Sequence, residues 1–145
     1  MQDMNVGVIG IGFIGPAHIE ALRRQGNIRV AALAHRDEEK AKAKAEMLGI
    51  EKHYGDYWGL LEKENVDVVH ICTPNHLHYD MARDSLRGGK HVACETPRAM
   101  DVRQAEELVE LAIGQASTFK KSRMLLARSR SCGGTQVVQR NHQRQ

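Results

Sequence analysis

The sequence predicts an α/β domain: a doubly wound parallel sheet of about five strands in a single domain, with helices on both faces. Two observations carry that prediction. Short apolar runs of strand length alternate with helical segments from Asn5 to Ile113, the pattern of successive βαβ units. At 145 residues, with 41% hydrophobic and 27% charged, the chain has ordinary globular composition and one domain's worth of core.

The elements follow in order. Asn5–Ile9 (Asn-Val-Gly-Val-Ile) reads as a short buried strand, and a helical segment carrying Ile19 and Leu22 runs to about Gly26. Pro16 falls in the first turns of that helix, where a missing N–H is tolerated. Arg29–Ala34 is a second apolar run. Asp37–Leu48 is an Ala- and Lys-rich helix closed by Gly49. His53–Tyr54 is a minimal strand, followed by a helix around Tyr57–Glu64. Val66–Cys72 is the clearest strand, and Pro74 stops it. A helix from about Leu77 to Arg87 ends at Gly88-Gly89, and His91–Cys94 is the fifth strand. Asp101 with Gln104 fits a capping box, and Val102, Ala105, Leu108, Val109 and Ala112 form one apolar helical face.

Charge divides the chain. Residues 1–113 carry 14 Lys and Arg against all 18 acids, a net of −4, whereas residues 114–145 carry seven basic residues and no acid. The domain is therefore assigned to residues 1–113 and a basic tail to 114–145. Residues 129–145 are expected to be disordered and 114–128 loosely attached, with a short helix around Phe119–Arg128. Only Phe119 is aromatic in that tail, so it reads as solvated coil and not as a specific nucleic-acid surface.

Several classes are excluded. No apolar stretch approaches the ~20 residues that span a bilayer, so no membrane association is expected. The first five residues lack the basic region of a secretory signal. Cys72, Cys94 and Cys132 make an odd count without metal-knuckle spacing, which suits a reduced cytoplasm. His76, His78 and Cys72 match no closed zinc site, so no metal is expected.

The glycine cluster after the first strand carries the chemistry. Gly10-Ile11-Gly12-Phe13-Ile14-Gly15 is a G-x-G-x-x-G motif between a strand and a helix, the setting in which it cradles a dinucleotide pyrophosphate. Gly10 permits the tight turn, Gly12 lets the phosphates approach the backbone, and Gly15 lets helix and strand pack closely. The helix N-terminus then offers unpaired N–H groups to the anion. About 20 residues on, an acid would hold the ribose 2′-OH of NAD. His35 and Arg36 stand there instead, and could accept a 2′-phosphate, while Asp37 is better placed to cap the next helix. NADP is favoured over NAD.

Two further segments narrow the reading. Ile71-Cys72-Thr73-Pro74-Asn75-His76-Leu77-His78 and Gly89-Lys90-His91-Val92-Ala93-Cys94-Glu95-Thr96-Pro97, with Gly10–His18, resemble the Rossmann-type nucleotide-binding half of the Gfo/Idh/MocA oxidoreductases. The resemblance covers about residues 5–113. It implies that Cys72, Thr73, Pro74, Asn75 and His78 lie along the cofactor near its nicotinamide end, and that Glu95 sits by the nicotinamide ribose. Thr96 stands where the family has a catalytic Lys, so no catalytic residue is assigned in this chain. Full members continue into a substrate domain on a mostly antiparallel sheet, and the resemblance stops before it.

The expected function is the NAD(P)-binding domain of an oxidoreductase. In full-length relatives hydride passes between the nicotinamide and a sugar, cyclitol or similar hydroxyl substrate. The chain alone is expected to be inactive for want of a wall that orients substrate. The alternative is a cofactor-sensing or partner-binding remnant of a truncated or frameshifted gene, forming a homo-oligomer or associating through an exposed sheet face.

Overall fold

The computed structural model describes residues 3–117 and 119–121. In chain order the elements are β1 (Met4–Ile9), α1 (Gly15–Arg23), β2 (Ile28–Ala34), α2 (Glu38–Leu48), β3 (Lys52–Tyr54) and α3 (Tyr57–Lys63). There follow β4 (Val68–Ile71), a 3-10 turn at Asn75–Leu77, α4 (His78–Arg87), β5 (His91–Cys94), α5 (Val102–Gly114) and β6 (Phe119–Lys121). The sheet runs in the order β3-β2-β1-β4-β5-β6, with every neighbouring pair parallel. Strand order reverses between β1 and β4, and that switch point is where an open α/β sheet forms a crevice at the carboxyl ends of its strands.

Alternation along each strand feeds two cores. Val6, Val8 and Leu33 face α1 and α2, where they meet Ile19, Leu22, Ala41 and Ala45. Ile9, Ala32, Val69, Ile71 and Val92 face the opposite layer with Leu60, Leu86 and Leu108 of α3, α4 and α5. Those three leucines are fully buried, and each contributes roughly 2 kcal/mol of apolar burial. Two-sided burial explains why the strands read as continuous apolar runs.

Two expectations are corrected. The sheet has a sixth strand, because residues 119–121 pair with β5 where a helix was expected, and α5 runs one residue past Ile113. The rest of the expected tail, residues 122–145, lies outside the described residues. Along α5 only Leu108 and Ala112 are buried, whereas Val102, Ala105 and Val109 of the expected apolar face are exposed. A helix that packs at the margin of a layer needs a narrow stripe, and the pair four residues apart supplies it. Asp101 does cap α5, accepting from the Gln104 N–H at 2.8 Å, while the Gln104 side chain accepts from the Met100 N–H at 3.0 Å.

Candidate functional site

The three glycines at the β1–α1 turn divide the work. Gly10 has φ +91°, a conformation that L side chains rarely adopt, and a Cβ there would lie 2.8 Å from the Cys72 backbone. A Cβ on Gly15 would lie 2.4 Å from the Gly10 carbonyl oxygen. Both positions are closed by the fold itself. Gly12 differs: a Cβ there meets nothing within 4 Å. It is exposed, as is Phe13 beside it, and the fold does not require glycine at that position. Ile14 precedes α1 and gives no side-chain cap.

A cleft of about 410 Å³ opens beside Gly12, lined by Ile11, His35, Lys40, Ala43, Lys44 and Met47. His35 follows β2, and its Nδ1 lies 3.1 Å from the Asp37 N–H nitrogen and 3.2 Å from the Asp37 carbonyl oxygen. Lys40 and Lys44 stand one turn apart on α2. Lys40 lies 3.4 Å from the Asp37 carboxylate, and among the described residues Lys44 has no carboxylate within salt-bridge distance. Arg36 is exposed and does not line the cleft. Asp37 caps α2 as expected, and its bond from the Lys40 N–H holds its carboxyl below the usual range.

Across the switch point, the loops after β4 and β5 are tied together. His78 is fully buried, with Nδ1 2.6 Å from the Pro97 carbonyl and Nε2 2.7 Å from the Thr73 carbonyl. Its ring therefore ties the two loops together, and Pro74, Asn75 and His76 are the exposed members of the loop after β4. Cys72 is buried too, and desolvation pushes its thiol well above the ordinary range. The Thr96–Pro97 peptide is cis, and both residues are exposed.

Glu95 is held by residues the sequence reading did not single out. Its Oε1 lies 2.7 Å from His18 Nε2, and its backbone N–H donates to the Ile71 carbonyl. His18 Nδ1 lies 3.2 Å from Nδ1 of His70, with the two rings edge to face. Burial, helped by His18, pushes the His70 ring down to about 4. Among the described residues no group of three His, Cys, Asp or Glu is arranged to hold a metal ion.

The arrangement has known counterparts. Residues 4–120 match the model of an oxidoreductase family with an NAD-binding Rossmann fold. The chain belongs to the Gfo/Idh/MocA oxidoreductases. It is 33% identical over 107 residues to a myo-inositol 2-dehydrogenase of Thermotoga maritima, spanning 74% of this chain and 32% of that one. It is 39% identical over 94 residues to an NADP(+)-dependent D-xylose 1-dehydrogenase of Haloferax volcanii, spanning 65% and 29%. Among solved structures, an NAD-binding oxidoreductase from Klebsiella pneumoniae is 40% identical with a TM-score of 0.79, over 83% of this chain and 34% of that one. The chain thus spans about a third of the length of these Gfo/Idh/MocA relatives. Its own fold is the nucleotide-binding architecture of the family, and no described helix is long and apolar enough to cross a membrane.

Proposed function

We propose that this chain binds a nicotinamide dinucleotide in extended form across the switch point, NADP in preference to NAD. The cleft beside Gly12 carries the reading. Its open Gly12 backbone admits a pyrophosphate, α1 starts at Gly15 without a side-chain cap, and His35, Lys40 and Lys44 line the cleft with donors and positive charge. A 2′-phosphate suits those cations. The nearest acid, Asp37, caps α2 through one carboxylate oxygen, faces Lys40 with the other, and does not line the cleft.

The cofactor supplies hydride chemistry when bound, and this chain's residues bind and orient it. Gly10, Gly12, Phe13, Ile14 and Gly15 form the pyrophosphate turn, Cys72, Thr73, Pro74 and Asn75 present loop backbone toward the nicotinamide end, and Glu95 offers a carboxylate to the ribose there. In full-length relatives the proposed reaction is hydride transfer with a sugar, cyclitol or similar hydroxyl substrate. Relatives named for myo-inositol and D-xylose dehydrogenation support that class, as does a 34% identical 3-ketoreductase from Actinomadura kijaniata solved with NADP. Buried free thiols at Cys72 and Cys94 favour a reducing, cytoplasmic setting.

Thr96 favours a second reading for the chain by itself. A hydroxyl supplies no cation and is a poor general acid near neutrality, so binding without turnover is the expected behaviour. Calorimetric titration with NADPH and NADH tests the proposal. Tighter binding of NADPH, weakened ~tenfold or more by Lys44→Glu with NADH unaffected, supports it. Equal affinities overturn the NADP preference, and no binding of either overturns the dinucleotide reading.

A further inference from the structure

From the crevice inward, Glu95, His18 and His70 form a chain of three polar side chains in contact. They come from three elements. Glu95 follows β5, His18 lies in the first half of α1 and is 4% exposed, and His70 sits in β4 with its backbone opposite Val8 and Ala93. Nothing in local sequence brings them together, since the two contacts span 77 and 52 residues. His18 is buried, whereas Glu95, with its side chain 23% exposed, and His70 are both half-buried.

Hydrogen-bond bookkeeping constrains the chain. An ionised carboxylate only accepts, so His18 Nε2 donates to Glu95. One proton serves the contact between the two Nδ1 atoms. His70 Nδ1–H can donate to His18 Nδ1, or a bare His70 Nδ1 can accept from it. His70, neutral above about pH 4 because burial disfavours its charge, serves either way by changing tautomer. Both bonds are therefore compatible with either tautomer of His70, and the carboxylate keeps one orientation.

We propose that His18, steadied by His70, is a positioning residue that aims the Glu95 carboxylate at the hydroxyl groups of the cofactor's nicotinamide-side ribose. The inference rests on the dinucleotide reading above. A carboxylate at a crevice edge otherwise loses side-chain entropy each time it binds a diol, and a charge-assisted bond from a buried ring removes that cost beforehand.

Binding of two ligands separates this role from a structural one. NADPH spans the whole site, whereas adenosine 2′,5′-bisphosphate occupies the adenosine end and never reaches Glu95. With the full chain, His18→Leu should weaken NADPH about tenfold and the bisphosphate less than twofold. His18→Gln, which restores a donor near Nε2, should return NADPH to within about threefold of wild type. Glu95→Gln keeps the shape of the side chain without its charge, and should reproduce the selective loss if His18→Leu fails to fold. Equal loss of both ligands in a folded variant, or unchanged NADPH affinity, overturns the proposal while leaving the dinucleotide reading intact. A wild-type chain that binds neither ligand overturns both.

Discussion

The five α-helices among the described residues begin in two different ways. α2, α3 and α5 each start at an aspartate in extended conformation, and Asp37, Asp56 and Asp101 accept from the N–H three residues on. α1 and α4 start at Ile14 and Leu77, both already helical in φ and ψ and without a side-chain cap. The two uncapped helices are the ones that follow β1 and β4, the strands that flank the switch point. A helix start with its N–H groups left to solvent costs stability relative to a capped one. At α4 the preceding 3-10 turn takes up the Leu77 and His78 N–H groups, whereas α1 accepts the cost beside the glycine turn, where an anion can supply the missing partner. The periphery is built for stability, and the crevice for a ligand.

Glycine substitutions should break this contrast most sharply. Gly10→Ala sets a Cβ at φ +91° against the Cys72 backbone. Strain and overpacking together should cost about 3 kcal/mol or more, a large share of the stability of a domain this size. Gly12→Ala meets nothing in the fold. Its urea midpoint should stay at the wild-type value while NADPH affinity falls at least tenfold. If Gly12→Ala unfolds the chain as Gly10→Ala does, the fingerprint is architecture and the division fails.

The pH response should sharpen the contrast next. An unfolded His70 takes up a proton near pH 6.5, whereas the folded one resists until about pH 4. The unfolded chain therefore binds more protons in that window, and stability falls as pH drops from 6.5 toward 4. The loss from this group alone approaches ~3 kcal/mol, by ~1.4 kcal/mol for each pH unit. His70→Gln should flatten that part of the profile, measured by denaturant midpoints between pH 4 and 7. A variant with the same slope as wild type would show that other groups carry the acid sensitivity.

How much of this was legible from sequence divides along the same line. Strands with two-sided burial announce themselves as apolar runs, and the aspartate caps at Asp37 and Asp101 stand one residue ahead of helical periodicity. The sixth strand was not legible: Phe-Lys-Lys at a sheet edge has neither length nor alternation, and pairing with β5 alone makes it a strand. At the site, Gly10 and Gly15 were readable because motif and context coincide. Lys40 and Lys44 carried a signal that was passed over, two cations four residues apart on the helix after β2. His18 and His70 carried almost none, because their partnership exists only once β4, β5 and α1 have assembled. Local pattern encodes elements, and the sheet order encodes the polar chain.

The smallest effects test the comparison from the peripheral side. Asp56→Ala and Asp101→Ala should each lower stability by ~1 kcal/mol, add when combined because they cap different helices, and leave NADPH affinity unchanged. The converse change is the more telling one. Ile14→Asp offers α1 the residue that caps the other helices, yet position 14 has φ −88° and ψ −27°, whereas Asp56 and Asp101 cap from extended backbone. From a helical backbone the carboxylate is poorly directed toward the N–H groups one turn on, so the stability gain should stay below ~0.5 kcal/mol. The negative charge should nonetheless repel the cofactor phosphates and weaken NADPH measurably. A full cap-sized gain would mean that the bare start of α1 is an accident of residue choice; a small gain with weakened binding would mean that the backbone itself reserves those N–H groups for the ligand.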